Sequence, residues 1–422
     1  HTPNNARIVI TKGLLDLLEP QEAESVVAHE IGHAVHWDML VMTIAYLVPL
    51  LLYYIFRTLI RMRSRGRDKS APYRYAIALV SYILYIISEY IVLWFSRIRE
   101  YFADRFAGQV TGNPNSLASA LVKIGYGLAG REKKKEDRKP QLESIKAMGI
   151  FDASSARALA ISSHSAASSM GGEVDKENLK GAMRWDLWNP WACYYELHST
   201  HPLIAKRLMA LSLQSESQGK QPYISFTDKR PESYWDEFFV DLLVKSLPLL
   251  IVIFSVASFL GTHNIFFLKC GLLLFGCANL FSVIFSYDFK FFPEFNISSL
   301  LKKVKVSAIR PVSCVLKGKL IGRGVPGLIW SEDFVLQDKT GIIFLDYRQP
   351  LAIWSLMFGL LRAGKYIGED VTITGWYRRA PIPYVEIKSI QTRTGQSSCF
   401  VFNVKIAFAI ILIVIGALSF LF

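Results

Sequence analysis

His29-Glu30-Ile31-Gly32-His33 reads His-Glu-x-x-His inside an apolar period that predicts one helix from Pro20 to about Trp37. On a helix, residues four apart share a face about one turn apart. Two neutral imidazoles so placed can hold one Zn²⁺ at about 2.0–2.1 Å. Glu30 stands beside the first of them, in reach of a metal-bound water rather than of the metal. Zinc lowers the pKa of its water to about 7, and a neighbouring carboxylate can take the proton. The five residues therefore encode a hydrolytic site, and peptide-bond hydrolysis is its usual use. The bland alternative is a surface helix that happens to carry two His. Pro20 at the first helical position, Glu22 and Glu24 at the positive helix start, and the apolar approach Ser25-Val26-Val27-Ala28 weigh against it.

Outward from this helix the composition is that of a membrane protein. The 422 residues are 51% hydrophobic with a formal net charge of +13, and the mean hydropathy is +0.27. Five stretches have the length and apolarity of membrane helices: Met39–Phe56, Tyr75–Phe95, Val244–Leu260, Ile265–Tyr287 and Ile406–Phe422. Buried core helices of a soluble protein are the alternative, but five such runs are hard to hide without lipid. The five cysteines include no Cys-x-x-Cys, so neither a disulfide framework nor a cysteine zinc site is supported. The sequence opens at His1 within a domain-like pattern and is read as a fragment or processed form. Basic residues gather at Arg61–Arg74, at Lys133–Lys135 and at Lys302–Lys305. Attraction to anionic lipid explains them more simply than nucleic acid does, and no nucleic acid partner is expected.

Two His need a third protein ligand, with the fourth position left to water. The second apolar stretch runs on, without a helix breaker, through Ser96-Arg97-Ile98-Arg99-Glu100-Tyr101-Phe102-Ala103-Asp104. Glu100 is the candidate ligand. Asp104, four residues on and on the same face, is the candidate to orient an imidazole by accepting its other N–H. A solvated, charged helix end is the alternative on spacing alone.

These motifs carry a resemblance. His-Glu-x-x-His, a hydrophobic hairpin and then Ser-Arg-x-Arg-Glu-x-x-x-Asp resemble the HtpX branch of the membrane zinc metalloproteases, a family that also contains the CAAX prenyl proteases. Ala6–Leu15 resembles the stretch before the site helix, and Glu196-Leu197-His198-Ser199-Thr200-His201-Pro202-Leu203 through Arg207 and Leu211 resembles the family's Ser-Thr-His-Pro block. The resemblance covers residues 1 to about 212. It implies a zincin-like fold, Zn²⁺ bound by His29, His33 and Glu100, and Glu30 as general base. It also implies that His201 and Arg207 face the substrate or the developing oxyanion, where a cation or N–H donor stabilises charge. Polypeptide substrates, misfolded membrane proteins among them, are the implied partners.

His36 is a poorer third ligand than Glu100, because three ligands on one straight helix converge badly. Glu89 lies eleven residues before Glu100, about 16 Å along the helix; it either lines a water-filled approach or makes a simple polar helix contact. Ile8–Thr11 reads as a short strand that either holds substrate by edge pairing or is only structural. A charged and then Ser-rich run, Arg131–Gly172, reads as a lid or insert. Trp185, Trp188 and Trp191 read as packing or interfacial residues.

From Val304 the texture turns to β, with strands expected at Val315–Ile321, Phe334–Gln337, Ile342–Tyr347, Asp370–Tyr377 and Val385–Ile390, in an order resembling an OB-fold barrel. The apolar insert Leu351–Phe358 is fit to lie on lipid or against a helix bundle. The expected organisation is a protease domain over 1–237 with its membrane hairpin at 39–56 and 75–95, a second hairpin over 238–287, the barrel over 304–394 and a last membrane helix over 401–422. The expected fold class is a mainly α integral membrane protein with a small β-barrel. The expected place is a multi-pass position in the cell membrane. The resemblance puts the site on the cytoplasmic side, whereas the Arg-rich loop argues for the opposite orientation. The leading function is a zinc endopeptidase in membrane protein quality control. The alternatives are a non-catalytic scaffold that binds partners through the barrel and a CAAX-type processing protease. No feature of the sequence speaks to oligomeric state.

Overall fold

The computed structural model describes residues 6–10, 12–15, 18–62, 71–130, 176–226, 230–289, 291–323, 332–380, 382–393 and 395–421. In chain order its helices are α1 (Lys12–Leu15), α2 (Pro20–Val35), α3 (Asp38–Arg61), α4 (Ala71–Val110), α5 (Pro114–Gly130), α6 (Lys176–Trp188) and α7 (Pro190–Leu197). There follow α8 (Ile204–Ser217), α9 (Trp235–Thr262), α10 (Phe266–Ser286), α11 (Ile297–Leu301), α12 (Ala352–Leu361) and α13 (Val401–Leu418). The chain packs as two units. One groups the described residues of His1–Gly127 and Cys193–Thr227; the other groups those of Leu128–Lys139, Arg157–Ala192 and Asp228–Phe422. The segment expected as one domain over 1–237 is thus shared between them.

In the first unit, α2 begins at Pro20, and the Glu19 amide donates to Glu22 Oε2 at 2.9 Å. Glu22 also accepts Ser119 Oγ at 2.6 Å and pairs with Lys123 of α5, which ties down the start of α2. The helix ends at Val35, and Trp37 takes a left-handed φ of 59°. That conformation is costly for a residue with a Cβ, and it starts α3 on a new axis. Helices α3 and α4 form an antiparallel hairpin, with ring pairs Tyr53–Tyr85 and Phe56–Tyr82 at 5.5 and 4.7 Å. Helix α4 has 40 residues, about 60 Å at about 1.5 Å per residue. It runs unbroken from the apolar stretch into the charged one, because nothing between Tyr75 and Asp104 interrupts a helix. Where α2 crosses α4, a Cβ on Gly32 would stand 3.1 Å from the Ala103 Cα, so glycine permits the close approach.

The second unit holds a closed five-stranded barrel. Its strands are β1 (Val312–Arg323), β2 (Phe334–Gln337), β3 (Ile342–Asp346), β4 (Asp370–Ala380) and β5 (Ile382–Gln391). The pairing order is β3-β2-β1-β4-β5, closed by a parallel β3–β5 contact, the OB-like order expected. A sixth short strand, β6 (Gln396–Ser398), adds to β5 and was not foreseen. Leu316, Leu320, Phe334, Leu336, Ile343, Ile373, Tyr377 and Val385 fill the interior. Helix α12 caps one end, with Phe358 stacked on Tyr347 at 3.8 Å.

Trp185 and Trp191 belong to this unit and are buried. Trp185 donates to Val306 O at 2.7 Å, and Arg379 reaches Asp186 of α6 at 3.1 Å. Helices α9, α10 and α13 pack through small residues. A Cβ on Gly276 would meet Ile413 N at 2.7 Å, and one on Gly416 would meet Leu273 Cα at 2.6 Å. A buried polar joint ties the barrel to these helices: Arg378 and Tyr287 both donate to the Glu386 carboxylate, at 2.8 and 2.6 Å, and Lys405 of α13 donates to Tyr287 Oη at 2.8 Å.

Among the described residues five helices are long and apolar enough to cross a membrane: α3, α4, α9, α10 and α13. They correspond to the five expected stretches. The chain is a mainly α multi-pass membrane protein with a small β-barrel. One expectation fails: residues 8–10 form no strand, since no neighbouring strand pairs with them among the described residues. Thr11, Arg63–Lys69, Lys133–Lys135 and the Arg131–Gly172 insert lie outside the described residues.

Candidate metal centre

The first unit brings His29, His33 and Glu100 together. The two Nε2 atoms face each other at 3.2 Å. His29 Nε2 lies 3.7 Å from Glu100 Oε2, and His33 Nε2 lies 3.5 Å from Glu100 Oε1. Donors held at about 2.0–2.1 Å around a tetrahedral ion stand about 3.3 Å apart, so this spacing fits one cation. Two nitrogens pointed at one another with a carboxylate across from them have little to gain without a positive charge between them. Glu100 Oε2 is buried and has no hydrogen-bond donor among the described residues. Two imidazoles and one carboxylate suit Zn²⁺, though other first-row ions share those donors.

Each ligand candidate is held from behind. His33 Nδ1 lies 2.6 Å from Asp38 Oδ2. His29 Nδ1 lies 3.0 Å from Asp104 Oδ1. The Asp38 contact fixes which His33 nitrogen keeps its proton and leaves its Nε2 lone pair for an ion, while Asp104 places a negative charge behind the His29 ring. Arg99 donates to Asp38 O at 3.2 Å and so reaches the turn after Trp37. Glu30 is half-buried beside the pair. Burial pushes its carboxyl above the ordinary range, His29 and His33 pull it down, and Glu100 pushes the same way as burial. Burial opposes the proton on His33, but the bond to Asp38 and the charge of Glu100 outweigh it and raise its pKa.

Arg207 is not at an open face. It is 1% exposed, and its Nε and Nη2 grip Asp104 at 2.8 and 2.6 Å while Nη1 lies 3.4 Å from Glu100 Oε2. Its fork is placed on two carboxylates, Asp104 and Glu100. Despite burial, the charge of Asp104 holds its proton more firmly than usual. His201 is partly exposed, with Nδ1 3.3 Å from Glu100 Oε1. Its loop is fastened from both sides. Arg97 donates to Glu196 O at 2.7 Å and to Ser199 O at 2.9 Å, and Leu203 N donates to Glu196 Oε1 at 3.1 Å.

His36 lies away from the cluster, with its ring 5.8 Å from that of Phe106. Glu89 lines a cavity of about 320 Å³ in the hairpin with Tyr46, Pro49, Tyr53 and Tyr85. The supporting roles of Asp38, Arg97, Arg99 and Glu196 were missed. For Arg97 and Arg99 a signal was available: both stand just before Glu100 on the site helix, where a cation beside a metal ligand needs a partner.

Two His from one helix, a Glu from a second and a free carboxylate beside them are the arrangement that metallopeptidases use. Comparison with known proteins narrows that class. The model of peptidase family M48 matches residues 1–214, half of the chain. The chain belongs to that family. Curated relatives include a protease HtpX homolog of Methanothermobacter thermautotrophicus, 41% identical over 123 residues, which are 29% of this chain and 45% of that one. Protease HtpX homolog 2 of Methanosarcina acetivorans is 36% identical over 154 residues, 36% of this chain and 51% of that one. The HtpX homolog of Aeropyrum pernix is 31% identical over 223 residues, 51% and 65% respectively. The chain spans about half the length of the curated relatives it matches. No solved structure matches it.

Proposed function

We propose that the protein is an integral-membrane endopeptidase that hydrolyses peptide bonds at a Zn²⁺ held by His29, His33 and Glu100. The observation that carries this reading is the mutual spacing of the three donor groups, 3.2 to 3.7 Å across a buried gap. When bound, the ion supplies an acidified water and a Lewis acid for the peptide carbonyl. Glu30 takes a proton from the attacking water and returns it to the leaving amine; its burial keeps it basic enough for that work. His201 offers an N–H to the charge that develops on the carbonyl oxygen. Asp38 and Asp104 hold the imidazoles in register, and Arg207 neutralises Asp104 and Glu100 from behind. The substrates are polypeptides, with misfolded membrane proteins the favoured class, and the site opens to the cytoplasm. An intact Glu30 favours this reading over a non-catalytic scaffold, which would have no use for a base.

Metal analysis of the purified chain paired with Glu30→Gln tests the reading. About one zinc per chain is expected in both proteins, with cleavage of an unfolded protein substrate reduced by 10²-fold or more in the variant, the order of a lost general base. Equal cleavage by the two would overturn the assigned base, and absence of bound metal in the active wild type would overturn the site.

A further inference from the structure

Helix α12 has the sequence Ala-Ile-Trp-Ser-Leu-Met-Phe-Gly-Leu-Leu over residues 352–361, with no charged side chain. Ser355, Phe358 and Gly359, at helical spacing, cover the end of the barrel. The rest of the circumference is apolar and bare: Ile353, Trp354, Leu356, Met357, Leu360 and Leu361 are each 43–67% exposed. A helix that is hydrophobic all round is normally buried all round, and here the barrel accounts for only one side.

The surroundings say what covers the other side. Gln349, just before α12, donates through Nε2 to Ser398 O at 2.9 Å, and its Oε1 accepts the Phe400 amide at 3.4 Å. Phe400 is the cap residue of α13, a helix long and apolar enough to span a membrane. The start of α12 is therefore latched to the point where α13 enters the bilayer. The end of α10 is tied to the same first turns of α13, with the Tyr287 ring 5.3 Å from that of Phe402. Tyr287, which caps α10, is bonded to Glu386 of the barrel and to Lys405 of α13. Exposed Phe289 and Phe400 ring this boundary.

We infer that α12 is an interfacial anchor: it lies in the boundary between phospholipid headgroups and acyl chains and seats the barrel on the membrane surface. At about 15 Å long it is too short to cross, and its Trp has the amphipathic ring that collects at that depth. The partner is the bilayer itself, not a second copy of the chain or a soluble protein. This inference concerns the barrel and holds whether or not the metal centre is catalytic.

The test uses the whole chain in phospholipid vesicles that contain a clickable phospholipid. The photoreactive residue p-benzoylphenylalanine is placed at Met357 and, as a control on the exposed flank of β1, at Lys319. Irradiation of Met357→benzoylphenylalanine should give lipid adducts about tenfold or more above those of the control, in line with burial in lipid against exposure to water. Adducts equal to the control, or adducts made with protein instead of lipid, would overturn the inference. A second reading uses the near-native chain. The difference in fluorescence between the wild type and Trp354→Phe, which cancels the shared contribution of Trp94 in α4, should be quenched by acyl-chain-brominated lipid; an unquenched difference would overturn the inference as well.

Discussion

Asp38 is nine residues from His29 in sequence, yet it closes on His33 at 2.6 Å because Trp37 turns the chain through a left-handed conformation. That contact was not legible. Periodicity carried the helix forward to Trp37, and nothing in Val35-His36-Trp37-Asp38 announces a break; a left-handed conformation at a bulky residue is set by its surroundings, not by its own preference. His29, His33 and Glu100 were legible, because helical spacing and an unbroken second helix say which faces they share. The place of Arg207 was not, because spacing says which residues are near Asp104 but not which side of it they occupy. Two outcomes follow at this scale. Asp38→Ala should lower metal affinity by about 10–100-fold, the usual cost of losing the carboxylate behind a His ligand, as read by competition with a chromogenic chelator. Arg207→Ala should destabilise the fold by about 3–5 kcal/mol, because Asp104 is left as a buried anion without its cation. Denaturant melts in detergent measure this, and a loss below about 1 kcal/mol would show that water replaces the guanidinium.

At the scale of elements the site depends on one helix crossing. Gly32 lies between the two imidazoles and faces Ala103, which lies between Glu100 and Asp104. The point of closest approach is thus also the point about which the four polar side chains are arranged. Gly32→Val places a branched side chain against the α4 backbone and pushes the two axes apart. Helical content should stay, while kcat/KM falls on the order of 10²-fold, as expected for a misplacement of about 1 Å; Gly32→Ala should lose less. Equal activity in all three proteins would mean that the crossing is not what aligns the carboxylate. The barrel strands were also legible at this scale, since β-branched alternation and the Asp338-Lys339-Thr340-Gly341 turn mark them. Strand β6 was not, because three polar residues, Gln396–Ser398, carry no alternation. Nor was the grouping of α6 with the barrel, which rests on Trp185 and Asp186 meeting Val306 and Arg379, partners more than 100 residues away.

For the molecule as a whole, the hairpin and the site are joined by one continuous helix, because α4 has no break between the apolar stretch and Glu100. Glu100 lies 29 residues beyond the start of α4 at Ala71, about 43 Å along the axis at about 1.5 Å per residue. Over such a lever, a change of about 3° in inclination carries the far end sideways by about 2 Å. Helix inclination follows hydrocarbon thickness, because a span longer than the membrane leans over to fit. Peptide hydrolysis should therefore pass through a maximum as the acyl chains of the host vesicles are lengthened from about 14 to about 22 carbons, a range that spans ordinary bilayer thickness. A flat profile across that series would show that α2 follows α4 as it leans. A peaked one would make the protein a gauge of its own membrane, at full strength only where the lipid holds the lever upright.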